Sequence, residues 1–193
     1  MKLPFIAVTT AALLAGFSTN AAARDIAAGT TEIGGATSFS AGSVRASSDG
    51  STEKSTVSAF NLSSRQYFQD DVAFGVSFTR IDTDIESSGS HVGMTQHKLA
   101  AGLAFNKSIN DNVSLNFGPA FLVVGERRSV DFASGDAQGR GVRLHLELQS
   151  FMNEHVAFNV GGYLDKYRLK NENTDFRAYL TEQQFTAGLS VFF

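Results

Sequence analysis

The chain has 193 residues, with no cysteine or tryptophan, 18 glycines, 2 prolines, 17 phenylalanines and a formal net charge of −3. That length predicts one domain; the missing cysteines exclude a disulfide framework, a thiolate zinc site and a lipid-modified N-terminal cysteine, and the mild acidity argues against a nucleic-acid partner. The mean hydropathy is −0.06, and beyond the N-terminal segment no apolar run approaches the ~20 residues of a membrane helix, yet a membrane β-barrel stays open because alternating strands average to near zero.

The N-terminal segment reads as an export signal over residues 1–23. Lys2 supplies a positive region, Phe5 to Phe17 is apolar and uncharged, and Ala21-Ala22-Ala23 has the small-x-small pattern of a cleavage site. The mature chain is then expected to run from Arg24 to Phe193 as one barrel domain.

Three later stretches share one layout, a polar turn followed by Val, an alternating apolar face and Gly: Asp70–Gly75, Asp111–Gly118 and Glu154–Gly161. Their spacing fits two strands of ~10 residues, a tight turn and a long loop. Polar segments expected as four loops lie between them, at Gly42–Lys54, Asp82–Gly93, Glu126–Gly139 and Leu169–Arg177. Four loops and three turns join eight strands, placed at 32–41, 55–66, 72–82, 94–105, 113–125, 140–150, 156–167 and 178–193. The sixth alternates most clearly, with Val142, Leu144, Leu146 and Leu148 opposite Arg143, His145, Glu147 and Gln149.

Alternation alone does not say which face is inside. A soluble barrel hides its apolar face, whereas a membrane barrel turns it to lipid. Three observations favour the membrane. The second face of strand four is small (Ala100, Gly102, Ala104), suiting a crowded lumen. Aromatics gather beside the turns at Tyr67, Phe68, Phe105, Phe151, Phe158 and Phe192, as an interfacial girdle would. Charged residues are only 18% of the chain, few for a barrel whose polar faces all meet water. The expected fold class is thus all-β, an eight-stranded antiparallel up-and-down transmembrane β-barrel.

Strand parity aims Glu32, Arg65, Lys98, Arg143, His145, Glu147, Asp165 and Glu182 into the lumen. Unpaired buried charge costs several kcal/mol, so these are expected to meet as a polar network that plugs the bore. His145, between Arg143 and Glu147, is either an interior hydrogen-bonding group or a proton-linked switch. No Ser–His–acid arrangement suggests catalysis; His91, His97, Asp82, Asp84 and Glu86 are the clustered metal donors, better read as solvated loop polarity. No cofactor or metal is expected.

Arg127, Arg128 and Arg140 flank the third loop and could meet lipopolysaccharide phosphates. Arg127, Arg128, Val130, Phe132, Phe176 and Tyr179 are the candidate loop contacts for a host or surface protein.

The export segment, the Tyr67-Phe68-Gln69-Asp70-Asp71-Val72-Ala73-Phe74-Gly75 hairpin and the ending Phe185-Thr186-Ala187-Gly188-Leu189-Ser190-Val191-Phe192-Phe193 resemble the small eight-stranded outer-membrane barrels of Gram-negative bacteria, the group of the OmpA transmembrane domain, OmpX, Ail and the opacity proteins. The resemblance spans the mature chain. It implies that Phe185, Leu189, Val191 and Phe193 form the signal read by the barrel-assembly machinery, with Val191 where an aromatic is often found. It implies outer-membrane lipid and lipopolysaccharide as surroundings, a monomer, and a structural or surface-interaction role: envelope integrity, adhesion or host-factor binding. A small-solute or ion pore is the second reading and a lipid-modifying enzyme the third.

Overall fold

The computed structural model describes residues 25–39, 54–87, 90–130, 133–171 and 177–193. The expected export signal, Phe132, Phe176 and the side chain of Val130 lie outside the described residues. Eight strands follow in chain order: β1 (Thr31–Phe39), β2 (Lys54–Gln69), β3 (Val72–Ser87), β4 (Ser90–Asn110), β5 (Val113–Val130), β6 (Ala133–Phe151), β7 (Val156–Asn171) and β8 (Arg177–Phe192). Each pairs antiparallel with its neighbours, and β1 pairs with β8 from Glu32↔Phe192 to Phe39↔Phe185, closing the barrel. Closure removes both sheet edges where β1 runs between β2 and β8, so the ladder groups there find partners without water, the condition a bilayer imposes.

Alternation sorts the side chains. Val142, Leu144 and Leu146 on β6, Phe74, Val76 and Phe78 on β3, Leu99 and Leu103 on β4, and Phe185 and Leu189 on β8 all point outward and are exposed. The fully buried groups include Arg143, Lys98, Glu32, Asp165, Gln149 and Asn116. An exposed apolar belt around a polar interior is the inverse of a water-soluble protein and suits lipid. Sliding β6 by one residue would aim Arg143 at that belt, at about 2–4 kcal/mol near the bilayer midplane.

Two expectations need correction. The polar stretches at Asp82–Gly93 and Glu126–Gly139 are not long loops, since β3 and β4 stay paired up to Ser87↔Ser90, and β5 and β6 up to Val130↔Ala133. Polarity on both faces marks where the strands leave the lipid belt, but the ladder needs only backbone groups and continues past it. The girdle assignment also fails for Tyr67, Phe151 and Phe192, which are buried. They lie two residues beyond the inward-facing Arg65, Gln149 and Ser190, so parity turns them into the barrel. With Ile26, Ala73, Ala104 and Ala157 they form an apolar floor at the end bearing the short turns.

A strap over residues 25–30 seats Ile26 in that floor. The Ile26 amide donates to Asp71 Oδ1 (3.0 Å), the Asp71 amide to the Ile26 carbonyl (2.9 Å), and the Ala28 amide to Asp70 Oδ1 (2.9 Å). Asp71 adopts φ 60°, a left-handed conformation that Asp tolerates in a tight turn.

Candidate functional site

The lumen is filled in layers. Above the floor, Arg65 Nη1 donates to Glu32 Oε1 (2.7 Å) and Glu147 Oε1 (3.1 Å). Glu32 also accepts from Gln149 Nε2 (2.9 Å), Ser190 Oγ (2.7 Å) and the Tyr67 hydroxyl (3.2 Å). Four strands, β1, β2, β6 and β8, are thereby tied to one carboxylate. His145 Nε2 lies 2.9 Å from Asn116 Oδ1, linking β6 to β5.

The next layer centres on Asp165. Arg143 grips it with two donors, Nε to Oδ1 (2.7 Å) and Nη2 to Oδ2 (2.8 Å), while Lys98 Nζ donates to Oδ2 (3.1 Å) and to Glu182. The remaining Arg143 nitrogen, Nη1, donates to Thr79 Oγ1 (3.2 Å) and Ser77 Oγ (3.3 Å), and the guanidinium sits 4.3 Å from the Tyr163 ring centroid. The Tyr167 hydroxyl donates to Glu182, and Tyr163 reaches Asn61 Oδ1 (3.2 Å). Bidentate pairing of this kind fixes direction as well as charge.

Toward the other mouth, Gln96 Nε2 donates to Glu126 Oε2 (2.6 Å), which also pairs with Arg128. Beside it Ala100, Leu122, Val124, Tyr167 and Leu169 make a second buried apolar cluster. Between the charged layers a cavity of about 30 Å³ is lined by Arg65, Ser77, Gly102, Arg143, His145 and Tyr163. That is room for about one or two waters.

All eight lumen candidates, Glu32, Arg65, Lys98, Arg143, His145, Glu147, Asp165 and Glu182, therefore lie on inward faces within these layers. The sequence reading set Gln149 on the face of Arg143, His145 and Glu147 and put Tyr67 in the girdle, but left both out of the lumen candidates, and it omitted Asn116, Tyr163, Tyr167 and Glu126, which belong to the same layers. Parity could have found them: Tyr163 and Tyr167 flank Asp165 at two-residue spacing.

Of the loop candidates, Arg127 Nε pairs with Asp136 Oδ1 (3.1 Å), Arg128 pairs with Glu126, and Tyr179 is 79% exposed, 5.7 Å below the Arg168 guanidinium. Phe185, Leu189, Val191 and Phe193 share the outward face of the last strand and its end. His97 faces outward and stacks on Phe78, with centroids 6.0 Å apart, while Asp82 accepts from Arg80 Nε (2.8 Å) and Thr95 (2.9 Å). Among the described residues no three His, Asp or Glu side chains converge as a metal site.

The sequence model of the outer membrane protein beta-barrel domain matches residues 9–193. Among solved structures, OprG of Pseudomonas aeruginosa superposes with a TM-score of 0.60 at 14% identity, over 86% of this chain and 97% of its own. The N-terminal β-barrel domain of Pseudomonas aeruginosa OprF gives 0.54 at 9% identity, over 87% and 100%. Ail, the attachment invasion locus protein of Yersinia pestis, gives 0.50 at 19% identity, over 86% and 99%. No curated protein matches the sequence. These likenesses are of fold.

Proposed function

The chain belongs to the outer membrane protein beta-barrel domain family, and on that premise we propose that it works in the outer membrane as a closed barrel, a structural and surface-interaction protein instead of an open pore. The supporting observation is the Arg143–Asp165–Lys98–Glu182 chain, which joins β6, β7, β4 and β8 across the bore. Below it stand the Arg65–Glu32–Glu147 layer and the apolar floor. An eight-stranded barrel has just enough room for side chains, and here they occupy it. In this reading the short turns and both termini face the periplasm, and the long strand extensions carry the interaction surface outside the cell.

Among the described residues no arrangement favours a reaction, since the described histidines bond to Asn116 and the Phe192 carbonyl or stack on Phe78. The test is conductance in planar bilayers. Electrically silent insertions are expected, and reproducible open channels at low voltage would overturn the proposal. Outer membranes run on gels with and without boiling should show a heat-dependent mobility shift; protein in the soluble periplasmic fraction lacking that shift would refute the location.

A further inference from the structure

Above the apolar belt the outer wall carries charge in two different ways. On β3 and β4 it is locally neutralised: Arg80 donates to both Asp82 oxygens (2.8 and 3.2 Å), and Thr95 donates to Asp82 as well. On β6 and β7 it is not. Arg140, Lys166, Arg168 and Lys170 all point outward and are exposed. The ladder sets Arg140 directly opposite Arg168, with Lys166 beside Val142 and Lys170 beside Gln138. Like charges facing each other across a ladder destabilise it.

Among the described residues the neighbouring strands add no compensating acid. On the β5 side Val123 faces Arg140 and Gly125 faces Gln138; on the β8 side Thr181 faces Lys166 and Tyr179 faces Arg168. The nearest outward carboxylate on β6, Asp136, is held by Arg127 (3.1 Å). The cluster also begins where the belt ends: Leu146, Leu144 and Val142 lead to Arg140 on β6, and Leu164 leads to Lys166 on β7. In a bilayer the phosphates of a lipid headgroup lie at that step, directly above the acyl chains.

We propose that Arg140, Lys166, Arg168 and Lys170 form a binding site for the phosphate groups of an outer-leaflet lipid whose acyl chains lie along Val142, Leu144, Leu146 and Leu164. A ligand bearing more than one phosphate suits a cluster spread over two strands, and it relieves the repulsion between Arg140 and Arg168. Arg168 stacked over Tyr179 is held toward the headgroup. Of the three arginines expected from the sequence to meet lipopolysaccharide phosphates, Arg140 belongs to this site, whereas Arg127 and Arg128 already have carboxylate partners. The inference rests on membrane insertion as proposed above.

The test uses the full mature chain folded in detergent micelles, with bis-phosphorylated lipid A as probe and retention read by native mass spectrometry. The R140Q/K166Q/R168Q/K170Q variant should bind lipid A about a thousand-fold more weakly, and R80Q should match the wild type. Dephosphorylated lipid A should bind the wild type as weakly as lipid A binds the quadruple variant, and millimolar inorganic phosphate should not displace the lipid. Unchanged retention by the variant, equal retention of the dephosphorylated lipid, or displacement by phosphate would each overturn the site. So would displacement by heparin, which would point to a soluble polyanion. The heat-dependent gel shift reports folding; if the quadruple variant lacks it, R140Q/R168Q decides, with about a thirty-fold loss expected. A wild type that shows the shift while the variant retains lipid A normally refutes this site alone; a wild type without the shift refutes insertion itself.

Discussion

Replacing Arg143 by methionine tests the lumen most directly. Arg143 is 1% exposed and donates to Asp165 twice, to Thr79 and to Ser77. Methionine keeps most of the aliphatic stem, so the loss is electrostatic more than steric. Breaking a buried pair from one side costs about 3–5 kcal/mol because the remaining charge is stranded. Asp165 here keeps Lys98 Nζ at 3.1 Å, which places Arg143→Met at the low end, about 3 kcal/mol. Asp165→Leu should cost more, about 4–5 kcal/mol, since Arg143 and Lys98 both lose their shared carboxylate. The double variant removes both halves together and should cost about 2–3 kcal/mol less than the sum of the singles. Urea titrations in phospholipid vesicles, read by the fraction that keeps the folded gel mobility, supply all three values. Additivity within about 0.5 kcal/mol would show that the two groups do not sense each other, and the layered account of the lumen would be wrong.

Lipid-facing positions should behave oppositely to positions above the belt: Leu144→Arg is expected to cost about 2–4 kcal/mol in vesicle unfolding, and Ser129→Arg, two residues beyond the exposed Arg127, under about 1 kcal/mol. Truncating the floor with Phe151→Ala should cost about 3–5 kcal/mol, because Phe151 is buried against Phe192 with ring centroids 5.3 Å apart; a neutral result would mean that the floor is loosely packed. Gly141 and Gly125 make a paired test. A Cβ at Gly141 would collide with the Lys166 carbonyl, whereas one at Gly125 meets nothing within 4 Å. Gly141→Ala should therefore destabilise by about 1–3 kcal/mol and Gly125→Ala by no more than about 0.5 kcal/mol, in the same urea assay.

Much of this protein could be read from residue order because a strand has a rigid period of two. Once Val142, Leu144 and Leu146 share a face, Arg143, His145 and Glu147 must share the other, and the same parity places Lys98, Asp165 and Glu182. Strand number, hairpin order and the starts of β3, β5 and β7 follow from the turns at Asp70, Asp111 and Glu154. Partners do not follow. Parity says that Arg143 and Asp165 both face inward, and their adjacency on β6 and β7 permits a bond; that Lys98 on β4 reaches the same carboxylate depends on how the closed barrel folds distant strands across a narrow bore. The heights of the strands were equally hidden, because loss of apolar residues marks the edge of the lipid belt and not the end of a backbone ladder. Tyr67, Phe151 and Phe192 divide between the two: parity already turned them inward against the girdle suggested by their nearness to the turns, while their packing with Ile26 of the strap into one floor came only with the tertiary structure. The sequence by itself determined the alternation, and with it which groups meet lipid and which are withdrawn from it. Only closure of the barrel decided which of the withdrawn charges meet across the bore, as Lys98 meets Asp165, because those distances are set by register and curvature across strands far apart in the chain.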